Sequence, residues 1–206
     1  MQEIDRMSAQ PKTPNIVVTP EFRMVFPNLF IPRAFKRNGK EAGEVKYGLT
    51  MLFDPKTIEP LKSAVKHVIA EKWPGRDPKT LKLPFTGGDA QAAKSAANKK
   101  DGDFFKGTVV VKASSKFKPG VVDAQSEPIL DPGRIYSGCY GHAELNFVAY
   151  DAVGAGGQDG VTAYVNFVLK TRDGDRIAGK DAKTVFAGIT GATVDDTAGL
   201  DDETPF

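Results

Sequence analysis

Residues 134–150 read RIYSGCYGHAELNFVAY, the longest alternating stretch in the chain. Ile135, Cys139, Ala143, Leu145 and Phe147 share one face, and Arg134, Tyr136, Tyr140, His142 and Glu144 share the other. Period-two alternation of this kind marks a strand with one buried side. Gly138 and Gly141 fall where a bend or bulge would carry a strand round the corner of a small closed barrel. Beyond a glycine-rich turn at 154–160, a second strand is expected over 161–170. It has Val161, Ala163, Val165, Phe167 and Leu169 inward and Tyr164 and Asn166 outward. On the other side, FKGTVVVKAS at 105–114 points Phe105, Val109, Val111 and Ala113 inward and Lys106, Thr108 and Lys112 outward, with Lys116 and Lys118 just beyond. The expected class is mainly β.

Further towards the N-terminus, 45–53 is a clear strand, with Val45, Tyr47, Leu49, Met51 and Phe53 on one face and Lys46, Gly48, Thr50 and Leu52 on the other. Asp54-Pro55 reads as a helix start, with aspartate as cap and proline at the first helical position. The helix is expected to run to about Lys72, with Ile58, Leu61, Val65, Val68 and Ile69 as its apolar stripe and His67 on its surface. The stretch 15–35 has strong strand content, but Pro20, Pro27 and Pro32 interrupt it. Proline cannot donate to a ladder, so an edge strand and an extended excursion are expected. Lys36, Arg37, Asn38, Gly39 and Lys40 then form a basic turn. Residues 73–103 are a polar insertion, of a length that is usually functional or partly disordered. Gly87-Gly88 within it matches no phosphate-binding loop.

At 206 residues, with 40% hydrophobic residues, the chain suits one domain with elaborations. No apolar run approaches a membrane span or a signal-peptide core, so a cytoplasmic protein is expected. MQEIDR before Met7 could be an upstream start or an added leader. One cysteine and two histidines exclude an internal disulfide framework and give no basis for a zinc site. Charge is unevenly placed. The chain has 28 basic and 26 acidic residues, and 195–206, DDTAGLDDETPF, holds five acids and no base. Taking those five from 26 leaves 21 against 28, so the rest of the chain carries +7. A segment so acidic and so poor in apolar surface is expected to be disordered. Its closing Pro205-Phe206 could lie over a basic groove or enter a partner's pocket.

Lys46, Lys106, Lys112, Lys116, Arg134, Tyr136, Tyr140, His142 and Tyr164 give the outward face a mixed cationic and aromatic character. Aromatic rings stack on unpaired bases at about 1–3 kcal/mol each, and lysines neutralise phosphates with release of counterions. Neither contact reads base sequence, so the expected ligand is single-stranded nucleic acid in general. The alternative is that Tyr136 and Tyr140 pack beneath the insertion as a second small core.

These residues resemble the single-stranded DNA-binding proteins of bacteria and some bacteriophages, in particular a phage-encoded family. FRMVFPNLF, FKGTVVVKAS, IYSGCYG and the terminal DDETPF carry the likeness, which covers most of 15–180. The resemblance implies a five-stranded OB-fold barrel with one packed helix, long loop insertions and a disordered acidic tail. The organisation would be a flexible N-terminus over 1–14, the binding domain over 15–190 and the tail over 191–206. It implies a non-enzymatic role in replication, recombination or repair of phage DNA in the host cell cytoplasm, without cofactor or metal. Asp201, Asp202, Glu203, Pro205 and Phe206 would contact replication proteins such as a polymerase, helicase or primase, and the tail would compete with DNA. A homodimer is a candidate assembly. One departure stands out: the helix follows the second strand, whereas the usual OB order puts it between the third and fourth. Either 21–35 contributes two strands or the barrel is an elaborated variant. Two other readings remain. Asp123, Asp131, Glu144 and Asp151 could gather as the metal ligands of a nuclease, although aspartate in turns more often caps its own backbone. The third is a structural phage protein.

Overall fold

The computed structural model describes residues 14–37, 40–98, 100–153 and 157–177. The N-terminal segment expected to be flexible lies outside these except for Pro14. So do Asn38 and Gly39 of the basic turn and the acidic tail with Asp201, Asp202, Glu203, Pro205 and Phe206. The elements in order are β1 (Ile16–Val18), β2 (Phe22–Arg37), β3 (Lys40–Phe53), α1 (Glu59–Lys72), β4 (Phe85–Gly87), α2 (Gly88–Ala97), β5 (Val109–Ser115), β6 (Gly120–Val122), β7 (Tyr140–Tyr150) and β8 (Gly160–Arg172). Antiparallel pairs join β2 to β3, β3 to β5 and β7 to β8. β8 runs parallel to β5, and β2 closes back on β7 at Phe22–Gly141 and Arg23–Tyr140. The closed five-stranded barrel is the expected OB-fold, with its third and fifth strands parallel. β1 extends the sheet beyond β7, and β6 continues the line of β5 alongside β8.

Alternation fills the barrel. Phe22, Met24, Leu49, Met51, Phe53, Val111, Ala113, Ala143, Leu145, Phe147, Val161, Ala163, Val165 and Val168 are buried in one core. α1 lays Leu61, Val65, Val68 and Ile69 on it. The helix starts one turn later than Asp54-Pro55 suggests. Asp54 instead holds a turn through Lys56 N–H at 2.9 Å, and Pro60 takes the early helical position where a missing N–H costs nothing. Gly138, at φ 124°, turns the chain into β7 in a conformation few other residues adopt.

Four expectations are corrected. First, β2 is no edge strand: it lies between β7 and β3, and 21–35 stays one strand. Pro27 and Pro32 fall in two of its three bulged segments, between Val25 and Asn28 and between Asn28 and Arg33, where the ladder does not call on their nitrogens. With the helix between barrel strands two and three, the elaborated variant is what the chain adopts. Second, Phe105 does not point into the barrel: the insertion, whose order the sequence leaves open, carries a second helix, α2. α2 and the 3₁₀ turn at Asp103–Phe105 cover the outside of the barrel, where Val25, Leu52, Ala92, Phe105 and Val110 form a small second core. Phe105 is therefore buried outside the barrel. Third, the first part of 134–150 is a 3₁₀ turn at Pro132–Arg134 and a bend, with the strand only from Tyr140.

The fourth concerns β8. Leu145 pairs with Val165 but Glu144 pairs with Phe167, so Asn166 is an extra residue and the alternation inverts. Phe167 turns out, 58% exposed, and Leu169 is only partly buried. Val168 and Lys170 turn in instead. Lys170 is satisfied there by the Arg134 carbonyl at 2.7 Å and the Asp173 carboxylate at 2.6 Å.

Candidate nucleic-acid interface

Cross-strand partners in a sheet share a face, so register locates the outer surface of the barrel. Asn28 pairs with Gly48, Gly48 with Ser114 and Ser114 with Tyr164. The outer residues between the Asn28 and Tyr164 side chains are thus a glycine and a serine, a low floor across β3 and β5. Cations stand on both sides of it. One step along, Thr50 pairs with Lys112, whose Nζ lies 3.5 Å from Gln91 Oε1 of α2. Desolvation beside α2 holds Lys112 below the usual lysine pKa, and the Lys94 charge adds to the effect. On the opposite side Arg33 pairs with Lys46. Lys46 and Lys116 share the Glu44 carboxylate, at 3.4 and 2.8 Å. The hydrogen bond from Lys116, followed by its charge, lowers the Glu44 pKa, and the same pair raises that of Lys116.

The link from β5 to β6 walls this surface. Ser114 pairs with Tyr164 and Gly120 with Phe167, so Lys116, Phe117 and Lys118 run beside that part of β8. Phe117 is 84% exposed. Lys118 Nζ sits 5.7 Å from the centre of the Phe30 ring. Arg33, Phe117 and Phe167 were not singled out from the sequence as site residues, whereas Lys94 reads there as either a phosphate contact or part of a solvated arm. The pattern KFK at 116–118 was a usable signal for Phe117; Phe167 had none, because its orientation depends on the bulge.

Lys46, Lys112, Lys116 and Tyr164 therefore come together. The other predicted residues lie elsewhere and have internal partners. Lys106 is paired with Asp103 at 2.7 Å in the turn below α2. Arg134 reaches Asp123 at 3.4 Å. The Tyr136 hydroxyl donates to Asp173 Oδ1 at 2.9 Å and to the Gly174 carbonyl at 3.1 Å, while Lys170 and Arg176 lie over its ring. Burial, reinforced by the Asp173 bond, pushes its phenol up to about 12. Tyr140 has Arg172 stacked 3.4 Å from its ring centre, and Arg172 is held in turn by Glu21. His142 Nδ1 lies 2.9 Å from the Thr19 carbonyl. Tyr140 also borders an open groove of about 610 Å³ together with Glu21, Arg23, Phe104 and Thr108. The second small core beneath the insertion exists, but neither tyrosine belongs to it.

The four carboxylates weighed as metal ligands are engaged separately. Asp123 accepts from the Gln125 and Glu127 amides, Asp131 from the Gly133 amide, Asp151 pairs with Lys72, and Glu144 accepts from Asn166. Among the described residues, no three His, Cys, Asp or Glu side chains form a group able to hold a metal ion.

A family model described as Enterobacter phage Enc34, ssDNA-binding protein, matches residues 15–197. Protein p50 of Acyrthosiphon pisum secondary endosymbiont phage 1 is 33% identical over 168 residues, covering 79% of this chain and 86% of that protein. Among solved structures, the single-stranded DNA-binding protein of bacteriophage Enc34 in complex with ssDNA superposes with a TM-score of 0.61 at 19% identity, over 81% of this chain and 91% of that one. Bacteriophage T7 gp2.5, a single-stranded DNA-binding protein, gives 0.50 at 14% identity, over 86% and 96%. At such identities the two structures speak for the fold.

Proposed function

We propose that this chain, which belongs to the Enterobacter phage Enc34 ssDNA-binding protein family, binds single-stranded DNA without sequence preference across the β3–β5–β8 face. The observation that carries the proposal is the low Gly48–Ser114 floor with Tyr164 at one end and cations along both sides. A duplex presents paired bases that cannot unstack onto Tyr164, whereas a single strand can lay bases on the ring and phosphates against Arg33, Lys46, Lys94, Lys112 and Lys116. Ring stacking and phosphate neutralisation act alike on any base. Arg134, Tyr136, Tyr140 and His142 in this reading close the barrel, and their aromatic rings are already occupied by arginine or lysine or fixed by hydrogen bonds.

The biological setting that fits is protection of displaced single strands during phage replication, recombination or repair, in the host cell cytoplasm. The acidic segment 195–206 would compete with DNA for the basic face and recruit replication proteins through Asp201, Asp202, Glu203, Pro205 and Phe206. A salt titration with fluorescent oligo-dT and the matching duplex tests the reading. Five cations less Glu44 make four net charges. At about −0.7 per phosphate for single strands, the logarithmic salt slope should be about −2.8. A flat salt dependence, or equal affinity for duplex and single strand, would overturn it.

A further inference from the structure

We infer that Phe167 is a second base-stacking platform, one nucleotide beyond Tyr164; this rests on the single-strand reading above. Left to regular alternation, Phe167 would lie inside the barrel beside Val165. The extra residue Asn166 puts it on the surface, on the same outer face as Tyr164. More than half exposed beside Tyr164, the ring has surface available for a base to cover. The ring is also held in place. It lies against Gly120 of β6, where a Cβ would come within 2.7 Å of Phe167 Cδ1 and 3.0 Å of Cε1. Any side chain at 120 would push the ring away. The glycine backbone meets the ring at its Cδ1–Cε1 edge, which limits how far the ring can turn, while more than half of Phe167 stays exposed.

The spacing suits a strand with its bases pulled apart. On β7, the partners of Phe167 and Tyr164 are Glu144 and Asn146, two residues apart. That is about 7 Å along the sheet, twice the 3.4 Å step of stacked bases. The charges flanking the two rings give the strand an orientation. Lys116 and Lys118 lie on the β5–β6 side and Glu144, held by Asn166 at 3.0 Å, on the β7 side. Phosphates would follow the lysine link, with bases reaching over β8 towards the carboxylate.

The test compares wild type with Phe167→Leu, which keeps apolar bulk without a π face, and Phe167→Trp, which restores one. Binding is measured to oligo-dT and to an oligomer of the same length whose central nucleotides are abasic. Phe167→Leu should bind oligo-dT about 5- to 150-fold more weakly, the equivalent of one stacked base, and the loss should vanish on the abasic oligomer. Phe167→Trp should recover affinity, and its added indole fluorescence should be quenched by oligo-dT. Thermal unfolding of both variants checks the fold. Equal oligo-dT affinity in wild type and Phe167→Leu overturns the inference while leaving the binding reading intact. So does a wild-type dimer that Phe167→Leu converts to monomer in sedimentation, since the face would then be occupied by a second copy. Failure of wild type to bind oligo-dT at all would strike the binding reading itself.

Discussion

Replacing Glu44 with glutamine should tighten single-strand binding, which is an unusual expectation for removal of two ion pairs. Glu44 bridges Lys46 at 3.4 Å and Lys116 at 2.8 Å at the edge of the proposed DNA track. It occupies the place that a phosphate would take between the same two lysines. Side chains this exposed gain little from pairing, so the bridge contributes little to the fold. Its effect on binding is larger, because two lysines with one carboxylate present a single net charge. With glutamine they present two. At about −0.7 per phosphate, the slope of log affinity against log salt should steepen from about −2.8 to about −3.5. A slope difference of about 0.7 makes the proteins equal near 1 M salt and about 5-fold apart at 0.1 M, with Glu44→Gln the tighter. The assay is fluorescence anisotropy of labelled oligo-dT over a salt series, with thermal unfolding alongside. Parallel slopes, or weaker binding by the variant at 0.1 M, would show that the carboxylate positions the lysines more than it opposes DNA, and the phosphate-surrogate argument would fail.

Deleting 195–206 should also tighten binding at low salt, because five negative charges proposed to compete for the basic face are removed; unchanged or weaker affinity would sink the competition idea. Tyr164→Ala should cost about 5- to 150-fold in oligo-dT affinity with the unfolding midpoint held, whereas a drop in midpoint alone would make Tyr164 a packing residue. Tyr136→Phe should do the reverse, losing its hydrogen bonds to Asp173 and Gly174 and about 0.5–1.5 kcal/mol of stability while DNA affinity holds. The same tyrosine should titrate late. Its phenol loses a proton near 10 unfolded and about 12 folded, so the stability it contributes is present below pH 10 and lost as pH rises towards 12. An ultraviolet titration in which no phenol titrates later in wild type than in Tyr136→Phe would refute that environment.

The barrel was legible because most of its strands keep strict alternation. Leu49, Met51 and Phe53, then Ala143, Leu145 and Phe147, sit inside as their spacing requires. The α1 stripe was equally plain. What the sequence hid was every place where one residue more or less changes the count. Prolines in β2 looked like interruptions, but bulges absorb them and the strand continues. One inserted residue in β8 exchanged Phe167 for Val168 and brought Lys170 inside. α2 was hidden for another reason: its alanines favour a helix, but only Ala92 and Gly88 are buried, so there is no apolar stripe to detect. The candidate site suffered twice. Alternation placed nine residues on a common outward face, but a closed barrel has outward faces all round. Lys46, Lys112, Lys116 and Tyr164 meet because β3, β5 and β8 are neighbours, a closure that depends on a parallel pairing far apart in sequence.

That closure also bears on the acidic segment. The last described residue, Ile177, donates its amide to the Ser137 carbonyl at 3.0 Å and packs on the small core of Val25, Leu52, Ala92, Phe105 and Val110. Leu52 and Val110 lie on the same outer face as Thr50 and Lys112, one alternation further along β3 and β5. Ile177 therefore sits against the small core that adjoins the proposed DNA track. Seventeen residues separate Ile177 from Asp195, a contour of at most about 60 Å, about three times the ~20 Å that four or five neighbouring strands cover at about 4.8 Å each. Five carboxylates on such a tether would be held at high effective concentration near the five cations of the proposed track. Competition between the segment and DNA then needs no binding motif. It needs only that salt weaken both contacts, so the advantage of the deletion should fade as ionic strength rises, in step with the slope that Glu44→Gln alters.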